Sequence, residues 1–245
     1  MTPARTLATA ARVLSQLRRD PRTIALLLVV PCVLMVLVQQ LFVDDEQVFQ
    51  TVGVPMLGLF PLISMFLVTS ITMLRERTTG TLERLLTTPI AKLDLLLGYG
   101  LAFAAVATVQ AVVVSIVGFG LLGLDSVHAR LLVVALAVAN AVLGMAFGLF
   151  VSAFAQTEFQ AVQFMPAFVL PQILLCGLFV DQEDMARWLA VLSYLMPVTY
   201  AFDALERASQ DATLGARFWI DVAVVIGATL LALALGAATL RRRTP

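Results

Sequence analysis

Charge is what this sequence has least of. Only 13% of its 245 residues are charged, against about a quarter in an ordinary soluble domain, and 60% are hydrophobic. A water-facing surface cannot be built from that ratio. Histidine occurs once, as His128 in a loop, and lysine once, as Lys92. The only two cysteines, Cys32 and Cys176, lie inside apolar runs, which argues against a disulfide framework or a cysteine metal site. No GxxxxGK[ST] loop is present, and Lys92 has no glycine-rich stretch before it, so no phosphate-binding loop of that kind exists here. HExxH, paired CxxC and GxSxG patterns are missing too. Intramembrane chemistry or a proton relay needs paired ionisable groups at depth. The apolar runs offer only Asp221, one turn into the last of them, which reads as a helix-end residue facing water.

What the chain does have is length in its apolar runs. A helix of about 20 apolar residues crosses a hydrocarbon core roughly 30 Å thick. Six such runs fall at about 23–43, 51–74, 95–122, 130–154, 160–180 and 217–240. Between them no soluble stretch is long enough for a second domain, so residues 1–245 read as one transmembrane domain. The first run begins too late and runs too long for a signal-peptide core, and it ends in Leu41-Phe42-Val43-Asp44 without a small-residue cleavage site. It is expected to remain as a span.

Orientation follows from the basic residues. Arg5, Arg12, Arg18, Arg19 and Arg22 precede span 1, while Arg75, Arg77, Arg84 and Lys92 lie in the second loop. Arg241, Arg242 and Arg243 end the chain. Those twelve share one side in a six-span arrangement, against Arg130, Arg187, Arg207 and Arg217 on the other. Both termini are therefore expected in the cytoplasm. Fifteen of the sixteen basic residues are Arg, a bias that fits a GC-rich bacterial genome and hence an inner or plasma membrane.

Residues 4–20 predict an amphipathic helix in the headgroup layer, with Leu7, Ala11 and Leu14 on one face and Arg5, Arg12, Gln16 and Arg19 opposite. A plain basic anchor is the simpler reading and is compatible with it. Pro166 and Pro171 each remove a helix hydrogen bond, so span 5 should be irregular. In the external region 181–216, Asp184 can cap a short helix with Trp188, Leu189, Leu192 and Leu195 on one stripe. Met196-Pro197 stops it and Tyr200 to Arg207 forms a second short helix, together a re-entrant segment. Gly144 and Gly148 form a GxxxG in span 4, suited to close packing of two helices.

The cytoplasmic loop after span 2 reads as a helix from Glu76 to about Thr87, stopped by Pro89. Leu82, Leu85 and Leu86 form a small apolar face, Glu76, Gly80, Glu83 and Thr87 line a second, and Arg77 and Arg84 lie on a third. That pattern suits docking into a groove on another protein, and it equally suits a solvated charged loop.

The run Glu76-Arg77-Thr78-Thr79-Gly80-Thr81-Leu82-Glu83-Arg84-Leu85 resembles the cytoplasmic signature of ABC-2 type permeases, the membrane subunits of daunorubicin-resistance, polysaccharide and lipid exporters. Trp188-Leu189, Leu195-Met196-Pro197-Val198-Thr199-Tyr200 and Asp203-Ala204-Leu205 are similar to the segment between that family's last two spans. The stretch Leu175-Cys176-Gly177-Leu178-Phe179-Val180-Asp181 departs from drug-type relatives, which often carry a Ser-Gly pair and a proline there.

The resemblance implies an all-α integral membrane protein of the ABC-2, type V exporter-like kind. It would have six transmembrane helices, the amphipathic interfacial helix at 4–20, a coupling helix at 76–88 and the external re-entrant segment. It implies a permease that is not itself catalytic, holds no cofactor or metal, and pairs with a separate nucleotide-binding ATPase subunit that carries ATP and Mg. A second permease subunit, identical or paralogous, and membrane lipid complete the partners, and nucleic acid is not among them. Glu76, Gly80, Thr81, Leu82, Glu83, Arg84, Leu85 and Leu86 would couple to the ATPase. Phe60, Ser64 and Thr69 of span 2, with Gln163, Phe168 and Gln172 of span 5, would line the path of an amphipathic or lipid-like substrate or drug. The 181–200 segment would close that path from outside. The rival readings are a stand-alone carrier or channel and a membrane assembly factor that transports nothing.

The orientation is tested by impermeant thiol labelling of intact cells, after Cys32 and Cys176 are replaced by Ser. Ala4→Cys, Thr87→Cys and Thr244→Cys should be protected, whereas Gln47→Cys and Gln210→Cys should react. Labelling of Thr87→Cys from outside would reverse the orientation.

Overall fold

A computed structural model describes residues 3–80 and 92–239, and every regular element among them is helical. In chain order these are α1 (Pro3–Arg18), α2 (Pro21–Leu41), α3 (Glu46–Thr78), α4 (Lys92–Gly120), α5 (Arg130–Val151), α6 (Glu158–Phe164), a π turn (Met165–Val169), α7 (Leu170–Leu175), α8 (Arg187–Ser193), α9 (Pro197–Gln210) and α10 (Ala216–Ala238). The chain is an all-α, multi-pass membrane protein. Five unbroken helices have the length and apolarity to cross a membrane: α2, α3, residues Leu97–Gly120 of α4, α5 and α10. The apolar run at 160–180 is instead divided into α6, the π turn and α7.

The division has a backbone cause. Pro166 and Pro171 supply no N–H to the helix ladder, and the Leu170 N–H bonds Met165 O, five residues back. The three pieces still cover Glu158–Leu175, which at about 1.5 Å per residue crosses most of a bilayer core. Helix starts are set by capping. Asp20 accepts from the Thr23 amide (3.2 Å) and hydroxyl (2.6 Å), with Pro21 at the first position of α2. Asp45 caps α3 through Val48 N at 3.1 Å. The expected cap at Asp184 is not used: α8 starts at Arg187 behind Ala186, with no side-chain cap.

The core sits where α3 lies against α5, the most extensive helix pairing in the bundle. A Cβ at Gly144 would fall on the Leu62 carbonyl oxygen, and one at Gly148 would meet Phe66 O. The GxxxG therefore packs two spans of one chain backbone to backbone, as small residues do where lipid gives apolar side chains no reason to prefer each other. Asn140, one turn before Gly144 on the same face, lies against Gly58 of α3 and donates to Ala201 O of α9 at 3.2 Å.

Two elements lie at the edge of this core. Only Leu27, Pro31 and Met35 of α2 are buried. Pro31 cannot donate to the carbonyl four residues back, Leu27 O, and Gln110 of α4 supplies that bond instead at 2.9 Å. Helix α1 packs on α4 through Thr6, Thr9, Ala10, Val13 and Leu17, with Gly98 letting Thr9 come close. The predicted stripe of Leu7, Ala11 and Leu14 is instead exposed. The helix thus carries two apolar stripes, a small-residue one for the protein and a leucine one free to enter the headgroup layer.

Gly144→Ala should destabilise the protein by about 1–3 kcal/mol, because the Leu62 carbonyl cannot retreat without moving α3. Gly227→Ala, in α10 with open space around it, should not. Thermal unfolding in one detergent compares them, and equal midpoints would contradict the backbone contact. Gln110→Leu should cost about 1–2 kcal/mol in the same assay by orphaning Leu27 O.

Candidate functional site

The end of α3 and the start of α4 flank residues 81–91, which carry most of the motif expected to dock. The helix expected to open at Glu76 does not: Glu76 lies in the last turn of α3, which runs to Thr78 and is closed by the Thr79 amide on Arg75 O. Gly80 follows at φ +71°, the left-handed geometry that favours glycine after a helix end, with open space where a side chain would stand. Thr81, Leu82, Glu83, Arg84, Leu85 and Leu86 lie outside the described residues.

Both flanks are held by α1. Arg12 forms an ion pair with Glu76 of α3 at 3.4 Å and donates to the Tyr99 hydroxyl of α4 at 2.5 Å. Its guanidinium also lies 5.6 Å from the Tyr99 ring centre, over a side chain that is itself fully buried and stacked on Phe103. A single arginine thus ties the amphipathic helix to both flanks of residues 81–91. The sequence placed Arg12 on the outward polar face of α1, and nothing in that pattern signalled the pairing.

The six path residues do not gather in one place. Ser64 bonds back to Phe60 O at 2.9 Å and lines a crevice against α2. Thr69 is buried on the other side of α3, against Gly148. Phe168, on the π turn, stacks on Phe66 at 6.3 Å and meets Phe147 edge-on at 5.1 Å. Gln172 is buried one turn further along and donates to Phe168 O at 3.0 Å. Gln163 is exposed and lines a separate cleft with Phe154, Gln156 and Gln160. What connects span 2 to span 5 is therefore the Phe66–Phe168–Phe147 cluster.

The crevice is a feature the sequence reading missed. It has a volume of about 550 Å³ and lies between α1, α2 and α3. Ser64, Leu67, Val68, Ile71 and Arg75 supply its α3 wall at helical spacing, a stripe that was legible as i, i+3, i+4, i+7. Asp20, Arg75 and Glu76 are its charged lining. The Thr23 hydroxyl and amide hold the Asp20 carboxyl below its ordinary range.

At the outer end, Asp221 corrects the expectation of a water-facing residue. It is fully buried, with Arg207 of α9 at 3.2 Å and Arg217 at 3.4 Å. Arg217 also lies 5.9 Å from the ring centres of both Tyr194 and Tyr200. Helix α9, bent by 84° from α8 at Ser193–Pro197, packs on α10 and covers the carboxylate. Thr199 donates to Ser193 O (2.9 Å) and Tyr200 to Tyr194 O (2.8 Å) across that bend.

Comparison with known proteins adds a family. The probable multidrug ABC transporter permease YbhR of Escherichia coli strain K12 is 29% identical to this chain over 160 residues, as is its counterpart in Escherichia coli O157:H7. The match covers 65% of this chain and 44% of each relative, so it spans less than half of their length. The family model for the ABC-2 type transporter matches residues 5–208. That match runs from within α1 to within α9, and it makes this multi-pass membrane protein a member of the ABC-2 type transporter family.

Proposed function

We propose that the chain is the membrane permease subunit of an ATP-driven exporter that moves an amphipathic or lipid-like compound, or a drug, out of the cytoplasm. In this reading ATP and Mg are bound by a separate nucleotide-binding subunit, and two permease subunits, identical or paralogous, form the path. The observation that carries it is the Arg12 bracket. An amphipathic helix, the end of one span and the start of another are joined at the segment where the family's docking motif stands. Motion imposed on residues 81–91 by a partner would be passed directly to α1, α3 and α4. The Escherichia coli relatives are described as probable multidrug ABC transporter permeases, which supports this reading.

Docking is tested by co-purification with the candidate ATPase and by ATP hydrolysis of the complex. Burial of Leu82, Leu85 and Leu86 at the partner surface would contribute up to roughly 1.5–3 kcal/mol each. Leu86→Asp should therefore abolish assembly. Glu83→Ala should leave assembly largely intact and weaken substrate-stimulated hydrolysis, since a charge across an interface adds specificity more than affinity. If both variants behave like the wild type, the segment is solvated and the docking role is wrong. Hydrolysis of ATP by the purified permease alone would also sink the reading.

A further inference from the structure

The geometry points to a binding site for lipophilic cations in the crevice between α1, α2 and α3. Its positive group would lie against Asp20 and Glu76 and its apolar body between α2 and α3. As a statement of substrate class this rests on the exporter reading; as a statement of binding it stands on the chain alone.

The size is right for one drug-sized molecule: about 550 Å³ lies within the range of small-molecule sites. The walls are apolar. Leu26, Leu27 and Val30 of α2 face Leu67, Val68 and Ile71 of α3. Leu26 and Val30 are also exposed on the outside of the bundle, so the crevice opens towards lipid rather than towards a sealed interior. From Asp20 to Val30 the helix rises about 15 Å, half the thickness of a bilayer core. An amphiphile dissolved in the inner leaflet, head towards the cytoplasm, already has the depth and orientation that the crevice offers.

The charged end selects the sign. Asp20 and Glu76 contribute carboxylates and Arg75 the only guanidinium among the described lining residues. That guanidinium is committed: its Nε and Nη2 bond the two oxygens of Glu158 at 2.6 and 3.1 Å. Asp20 accepts from Thr23 and from the Arg22 amide, and Arg75 acts on it through its charge without a direct ion pair. Glu76 is 8% exposed; Arg12 reaches its Oε1 and the Tyr99 hydroxyl lies close to its carboxylate, while the buried Oε2 has no hydrogen-bond partner of good geometry. A buried, unpartnered carboxylate oxygen is costly unless something positive or protic fills the place beside it. A cation with an apolar body meets both demands, whereas an anionic headgroup would find two carboxylates and an occupied guanidinium.

Two ions of the same shape and opposite charge test this. The full chain is placed in phosphatidylcholine nanodiscs, and uptake of tetraphenylphosphonium and of tetraphenylborate is measured by equilibrium dialysis, with protein-free nanodiscs subtracted. The cation should bind saturably and the anion should show no saturable component. Asp20→Asn and Glu76→Gln should each weaken the cation by about tenfold. Val68→Trp, which fills the crevice from the α3 wall, should abolish saturable binding. Because Glu76 also pairs with Arg12, Asp20→Asn is the variant that decides if Glu76→Gln fails to fold. The proposal is overturned if the anion binds as well as the cation, or if Asp20→Asn binds like the wild type. It is also overturned if no saturable uptake occurs, as expected of a crevice filled by lipid or by a helix of a second copy. Saturable cation binding by a chain that never associates with an ATPase would support the site and remove the exporter reading.

Discussion

The bundle depends on one close contact, the backbone of α3 against the backbone of α5 at Gly144 and Gly148. In lipid, apolar side chains gain little by choosing each other over acyl chains, so helices associate through dispersion at short range and through hydrogen bonds. A Cβ at either glycine would collide with a carbonyl of α3. This contact positions the longest helix, and α3 then carries the functional features at both levels. Its middle holds Phe66 against the π turn, one face lines the crevice, and its last turn presents Glu76 to Arg12. Pro55 and Pro61 sit inside α3 without ending it, as prolines can where neighbours re-satisfy the freed carbonyls.

Polar side chains follow a common rule here: they serve backbone groups or each other where the apolar packing is interrupted. Gln110 supplies the donor that Pro31 withholds from Leu27 O. Asn140 reaches Ala201 O in the first turns of α9, and Ser193 with Thr199 secures the sharp bend before it. The outer carboxylate Asp221 is bracketed by Arg207 and Arg217, and without one of them a charge would be stranded in a water-excluded place. These bonds fix where the weakly attached elements dock, which apolar area alone would leave undetermined.

Periodicity made the helices legible, and backbone chemistry made the interruption of the 160–180 run legible, because Pro166 and Pro171 act through their missing N–H whatever surrounds them. The GxxxG was readable for the same reason, since a missing Cβ has the same consequence in any partner. What stayed hidden depends on tertiary neighbours. Helix α1 has two apolar stripes, and periodicity favours the leucine one although the protein uses the stripe of Thr6, Thr9, Ala10, Val13 and Leu17. Glu76 belongs by pattern to the loop motif, yet α3 continues through it because no glycine or proline intervenes before Gly80. Asp221 reads as a solvated helix end until α9 is seen to cover it. The crevice needs α1, α2 and α3 together, and only its α3 stripe was on one line of sequence.

The mechanical contrast within the bundle follows from how each helix is held. Separating α3 from α5 would pull apart two backbones in contact along several turns. Moving α2 would break two hydrogen bonds, Gln110 to Leu27 O and Gln39 to Leu122 O, and uncover three side chains, Leu27, Pro31 and Met35. At roughly 0.6–1.7 kcal/mol for an interhelical hydrogen bond in a membrane, each is a light tether. Pro31 sits one turn beyond Leu27, where the helix ladder already lacks a bond. The lipid-side wall of the crevice is therefore held by fewer buried side chains than the opposite wall, α3. Displacement of α2 alone would change the width of the crevice, while α3, held by α5, keeps Glu76 against Arg12.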